Sequence, residues 1–217
     1  RILVREAFAQ FLNNEVVMPE ELPNIDEDFQ KDLITLANMT TIARSAVDRE
    51  WASPQKEITF VHDPEMPMRF AGQLVTMAKA FMILNDGMLT DMHKRALYKM
   101  ALDSIDKNRL ICLRQLAEYQ KVDTAGLATK LNYPTTIVRR WLEDLNALGV
   151  ILREKGTSKA DTWEIKPEYR ALFARFEGIT ANEGNLTESN AEKGPEIIAE
   201  TEEEKQELLR ELNLQMP

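Results

Sequence analysis

The stretch that decides the fold is Asp123-Thr124-Ala125-Gly126-Leu127-Ala128-Thr129-Lys130-Leu131-Asn132-Tyr133-Pro134, followed by Thr135-Thr136-Ile137-Val138-Arg139-Arg140-Trp141-Leu142-Glu143-Asp144-Leu145-Asn146-Ala147-Leu148-Gly149-Val150-Ile151. Leu127, Ala128 and Leu131 give a short helix over 124–131 its packed side. Tyr133-Pro134 then turns the chain, because proline lacks a backbone donor and disfavours helix in the residue before it. Val138, Leu142 and Leu145 recur at i, i+4 and i+7, which predicts a helix over 135–148 with one buried face. Gly149 stands where a helix closes in the left-handed conformation. Two strand-like runs, 150–153 and 162–165, flank a polar loop at 154–161 that contains Gly156. A helix over 106–120 precedes this block and one over 167–176 follows it.

The outward face of the 135–148 helix carries Thr135, Thr136, Arg139, Arg140 and Glu143. Thr135 and Thr136 can cap the helix and bond phosphates at its positive end. Arg139 and Arg140 suit guanine edges or phosphates. The loop Glu154-Lys155-Gly156-Thr157-Ser158-Lys159 carries Lys155, Thr157 and Lys159 toward a backbone or minor groove. Over 106–176 this order resembles the winged helix-turn-helix shared by MarR-type and related bacterial and archaeal regulators. The resemblance implies a helix read into the major groove of DNA. A plain solvated face, or a winged helix that docks protein, fits the same residues and stays open. Trp141 reads as a partly buried packing residue.

Upstream, residues 1–14 place Ile2, Leu3, Phe8, Phe11 and Leu12 at helical spacing, and Pro19 and Pro23 end that run. A helix is predicted over 26–50, with Phe29, Leu33, Leu36, Ala37, Thr40, Ala43 and Val47 inward. Asp26, Glu27 and Asp28 sit in its first turn, where the dipole favours anions. Residues 56–61 are strand-like. Pro64 and Pro67 open a helix over 68–85 with Phe70, Leu74, Met77, Ala78, Phe81 and Met82 inward, and Thr90 caps another running to 105. The expected fold class is therefore mainly α: a helical bundle over 1–105, the winged helix-turn-helix over 106–176, and an acidic, largely disordered tail over 177–217.

Arg69, Leu74, Ala78 and Ala80 match R-x-x-x-x-L-x-x-x-A-x-A. That pattern is similar to the C-terminal lid of AAA+ ATPases, especially minichromosome-maintenance-type helicases. The resemblance implies that Arg69 is a nucleotide-sensing arginine reaching the γ-phosphate of ATP. Arg44 and Arg49 would then serve that site or a neighbour's. A guanidinium suits the task because it stays charged and binds bidentately. No G-x-x-x-x-G-K-[ST] occurs in the chain, so no catalytic residue is assigned and no ATP hydrolysis is expected from it alone. ATP and Mg would belong to an upstream nucleotide-binding core of the same protein, itself an expected partner beside DNA. The leading expectation is the DNA-binding C-terminal part of a AAA+ replication or mobile-element ATPase. The alternative is a stand-alone MarR-like transcription regulator with a helical dimerisation or ligand domain. Homo-oligomerisation is compatible with both.

Composition narrows the field. Net charge is −9, but its distribution is uneven. Residues 177–217 hold 11 glutamates against 3 lysines and arginines, whereas 106–176 hold 13 lysines and arginines against 9 acids. A basic block before an acidic tail fits a polyanion-binding module with a solvating appendage. The tail is also suited to mimic DNA and screen that block. The one cysteine, Cys112, excludes an internal disulfide and a Cys-based zinc site, and the chain reads as cytoplasmic. His62-Asp63 near Glu65 lacks the i, i+4 spacing of helical metal ligands, so no metal is expected. Lys79 interrupts the longest apolar run, 70–84, and no signal peptide opens the chain. Arg1 stands first in a stretch that reads as mid-protein helix, so an excerpt of a longer protein is expected.

Overall fold

Asp26 opens the first described helix: its carboxylate accepts the N–H groups of Asp28 and Phe29, each at 3.1 Å. That cap and the acidic first turn start helix α1, Glu27–Ala43, which buries Phe29, Leu33, Leu36 and Ala37 along one stripe. The computed structural model describes residues 19–50, 52, 56–156 and 160–178. The expected helix over 1–14, loop residues Thr157 and Lys159, and the tail beyond 178 lie outside these described residues.

Helix α1 does not continue to residue 50 as its apolar spacing predicts. It ends at Ala43, where the Arg109 guanidinium donates to the carbonyls of Ala43 at 2.9 Å and Ser45 at 2.7 Å. Carbonyls at a helix end lack intrahelical partners, so a cation there satisfies them and meets the negative dipole end. The chain then leaves as strand β1, Val47–Arg49, antiparallel to β2, Ile58–Val61. Val47, expected on a helical stripe, pairs with Val61 across that hairpin. The register slips between Asp48, opposite Phe60, and Arg49, opposite Ile58.

Helix α2, Pro67–Leu84, starts on proline, whose fixed φ suits a first helical position. It buries Ala71, Leu74, Ala78 and Met82. Met77, expected inward, is exposed. Thr90 caps helix α3, Asp91–Leu102, which stops short of residue 105 although Ile105 is still buried. Asp106 caps helix α4, Lys107–Glu118. Strand β3, Val122–Asp123, leads into helix α5, Thr124–Leu131, whose first turn is held by Asp123 accepting the Gly126 N–H at 2.6 Å. Helix α6, Thr135–Ala147, strands β4, Ile151–Glu154, and β5, Thr162–Ile165, and helix α7, Pro167–Glu177, complete the described chain. The later strands form one antiparallel sheet in the order β3-β5-β4. Asn132 closes α5 at φ 56°, and Gly149 follows α6 at φ 75°, the left-handed conformation that glycine adopts without a Cβ clash.

The described residues are mainly helical, with two small sheets and one continuous core. Leu33, Leu36, Leu97 and Leu102 from the first half join Leu113, Leu116, Leu142, Trp163 and Phe173 from the second. Each such side chain contributes roughly 1.5–3 kcal/mol by leaving water. Helix α7 is the seam: Tyr98 meets Phe173 edge-on at 6.1 Å and stacks on Phe176 at 4.9 Å. The expected boundary between 105 and 106 coincides with no break in that core. Among the described residues no helix is long and apolar enough to cross a membrane.

Candidate nucleic-acid interface

Helix α6 is fixed from below by Val138, Leu142 and Leu145, all fully buried. The turn before it is set by left-handed Asn132 and by Tyr133, whose ring meets the Trp141 indole edge-on at 5.0 Å. Trp163 Nε1 donates to Thr124 Oγ1 at 2.9 Å, locking β5 against the start of α5. With those anchors in place, Thr135, Thr136 and Arg139 are exposed and Arg140 is half-buried. Neither Arg139 nor Arg140 has a side-chain hydrogen bond or ion pair among the described residues. The N-cap position is Pro134, so Thr135 and Thr136 do not cap the helix as sequence reading expects. Their hydroxyls and the first-turn N–H groups stay available to an acceptor.

Further along α6 the same face meets the β1–β2 hairpin at one point. Glu143, read from sequence as an outward residue, turns toward the β1–β2 hairpin, where Arg49 meets it. Arg49 is 6% exposed at its side chain. Its Nε and Nη2 donate to Asp144 Oδ1 at 3.0 and 2.7 Å, Nη1 donates to the Lys56 carbonyl at 2.7 Å, and Nη2 to the Arg140 carbonyl at 3.0 Å. Arg109 Nη2 lies 3.5 Å from the other Asp144 oxygen. One buried network thus joins the end of α1, helix α4, helix α6 and the hairpin.

Between that hairpin and α6 lies a groove of about 570 Å³. Thr136, Arg139 and Arg140 line one wall, Glu57 and Ile58 the other, and Arg153 of β4 stands at its end. Arg153 is paired with Asp161 and lies 5.1 Å over the Trp163 ring. The Arg153 hydrogen bond holds the Asp161 carboxyl below its ordinary value. Lys155 is exposed on the connection from β4 toward β5. The arrangement offers two unpaired guanidinium groups and a helix N-terminus side by side, a surface that attracts anions.

The three arginines read as nucleotide sensors do not converge. Arg44 pairs with Glu65 and lies 5.0 Å over the Phe70 ring. Arg69 is 74% exposed at its side chain and 3.9 Å from the same Glu65. Arg49 faces α6 instead, enclosed by its own network. Sequence reading missed Arg109, Asp144 and Arg153 altogether. The Arg49–Asp144 pairing joins residues 95 positions apart, and no local pattern signals it. Among the described residues no cluster of His, Cys, Asp and Glu is arranged to hold a metal ion. No family model, curated protein or solved structure matches the chain.

Proposed function

We propose that the chain binds DNA through α6 and the β4–β5 hairpin, used as a winged helix-turn-helix, with the exposed first two turns of α6 entering a groove. The observation that carries this reading is the pair Arg139 and Arg140, unpaired among the described residues and beside exposed Thr135 and Thr136. An exposed cation without a carboxylate partner is disposed to neutralise a phosphate, and each such contact releases counterions. Lys155 adds a third cation from the hairpin, and the sequence reading offers Thr157 and Lys159, outside the described residues, as further candidates. In the wider reading the chain is the C-terminal part of a AAA+ replication or mobile-element ATPase. The helical bundle followed by a DNA-reading unit supports it, as does Arg69 standing open to solvent for a neighbouring nucleotide site.

A second reading, a stand-alone MarR-like regulator, draws on a different observation. Exposed methionines stand along α2 and α3, among them Met68, Met77, Met92 and Met100, and Met77 and Met100 line a groove of about 760 Å³ beside Phe70 and Leu74. Methionine-rich surfaces adapt to apolar partners, a second copy included.

The test is a DNA titration at several salt concentrations with the wild-type chain and the Arg139→Ala/Arg140→Ala variant. The variant binds more weakly, and its salt slope is shallower by roughly 2, near one per lost phosphate contact. Superimposable curves would sink the proposal. A concentration-dependent dimer in sedimentation, lost on Met77→Lys, would favour the regulator.

A further inference from the structure

Arg49 lies outside the 106–178 block, yet it is the polar link between the β1–β2 hairpin and α6. Its donors reach both carboxylates of Glu143-Asp144 and two main-chain carbonyls, one on each side of the groove. A buried ion pair is a weak source of net stability, because the attraction is largely offset by lost hydration. What a fully bonded planar guanidinium does supply is fixed geometry. The strand is shaped to deliver it: Val47 and Arg49 share the covered side while Asp48 faces out. The register also breaks immediately before Arg49, leaving Thr59 as the extra residue opposite the Asp48–Arg49 step. Such bulges re-aim side chains beside functional surfaces. The far end of the network is equally rigid, since Asp144 is held from behind by Arg109, which is anchored on the end of α1.

We propose that Arg49 is a positioning residue for the DNA-binding surface: it latches the β1–β2 hairpin to α6 and thereby fixes the groove that Arg139 and Arg140 line with unpaired charge. This rests on the DNA-binding reading above and goes beyond it, because it makes the N-terminal hairpin a working part of that surface. The reading helix is then not autonomous. Its outward face is aligned by a residue from the bundle, and the second wall of the groove, at Glu57 and Ile58, arrives with that residue.

The test uses the full chain and two readouts. Arg49→Lys keeps the charge and loses the fork, and Arg49→Gln loses both; each is compared with wild type at a temperature where circular dichroism shows it folded. Amide hydrogen exchange reports the latch: exchange within α6 is expected to speed up while α3 stays unchanged. Affinity for a short mixed-sequence DNA duplex reports its purpose: Arg49→Lys is expected to bind about fivefold more weakly or worse, within the usual coupling between touching elements. Adding Arg139→Ala/Arg140→Ala to Arg49→Lys is expected to cost less than in the wild-type background, since both act on one surface. Unchanged α6 exchange in both Arg49 variants overturns the latch. Faster α6 exchange with wild-type affinity, while Arg139→Ala/Arg140→Ala still weakens binding, overturns the positioning role alone. If neither set of variants alters affinity, the DNA-binding reading itself falls and takes the positioning role with it.

Discussion

Helix α2 tucks Ala71, Leu74, Ala78 and Met82 inward and leaves Met68 and Met77 outside. Helix α6 tucks Val138, Leu142 and Leu145 inward and leaves Thr135, Thr136 and Arg139 outside. The inward stripes do the same work, giving up apolar surface to one shared core. The outward stripes differ in chemistry, and there the two halves of the molecule diverge. The α2 side sets exposed methionines among polar residues such as Gln73 and Thr76, and thioethers gain nothing from water, while unpaired guanidinium groups gain from any phosphate that replaces it. The buried side of a helix specifies where it sits; the exposed side specifies what it meets.

The largest expected effect tests whether the halves are mechanically joined. Arg49→Ala leaves Glu143 and Asp144 without their shared cation and is expected to cost about 3 kcal/mol or more in urea unfolding. A loss under about 1 kcal/mol would mean that solvent replaces the guanidinium easily. Next, Leu36→Ala and Leu142→Ala, one in each half, are each expected to cost about 2–5 kcal/mol. Both should shift a single transition seen by fluorescence and circular dichroism alike. Two separable transitions would split the molecule at residue 105. The third effect is on binding rather than folding: Arg139→Ala/Arg140→Ala flattens the salt dependence while changing stability by less than about 0.5 kcal/mol, because neither guanidinium has a hydrogen bond or ion pair to lose among the described residues.

A fourth effect is pH-linked. Burial pushes the Cys112 thiol up to about 12 from 9.0, so the folded state keeps its proton after the unfolded chain has lost it. The contribution is fully present below pH 9 and is lost as pH rises toward 12, on the order of 1 kcal/mol between pH 8 and 10. Comparing the pH dependence of the urea midpoint for wild type and Cys112→Ala isolates it, and identical slopes would refute it. The smallest effect is Met77→Gln on α2, expected to change stability by less than about 0.5 kcal/mol and, on the regulator reading, to weaken any dimer seen in sedimentation. A large destabilisation would show that the methionine face is structural after all.

Where local chemistry decides, the fold was legible in the sequence. The bounds of α5, the start of α6 after Tyr133-Pro134, the glycine that follows α6 and the Thr90 cap all follow from side chains within a few positions. The end of α1 was not legible. Val47 continues the helical spacing from Ala43, and nothing nearby forbids another turn. The helix stops because Arg109, 66 residues later in the chain, takes the Ala43 carbonyl and because β2 pairs with the strand that follows. The candidate surface divides the same way. Periodicity placed Arg139 and Arg140 outward, whereas the hairpin that covers Glu143 depends on an ion pair across 94 residues.

The aromatic seam on α7 bears on how such a protein is inherited. A gene fragment encoding only 106–178, spliced into an unrelated host, would carry Tyr169, Phe173 and Phe176 without the Tyr98, Phe29 and Asn38 side chains that receive them. The transplant would present a sticky aromatic flank, prone to aggregation. Recombination is therefore expected to move residues 106–178 together with the helices before them, and the two to travel through descent as one heritable piece.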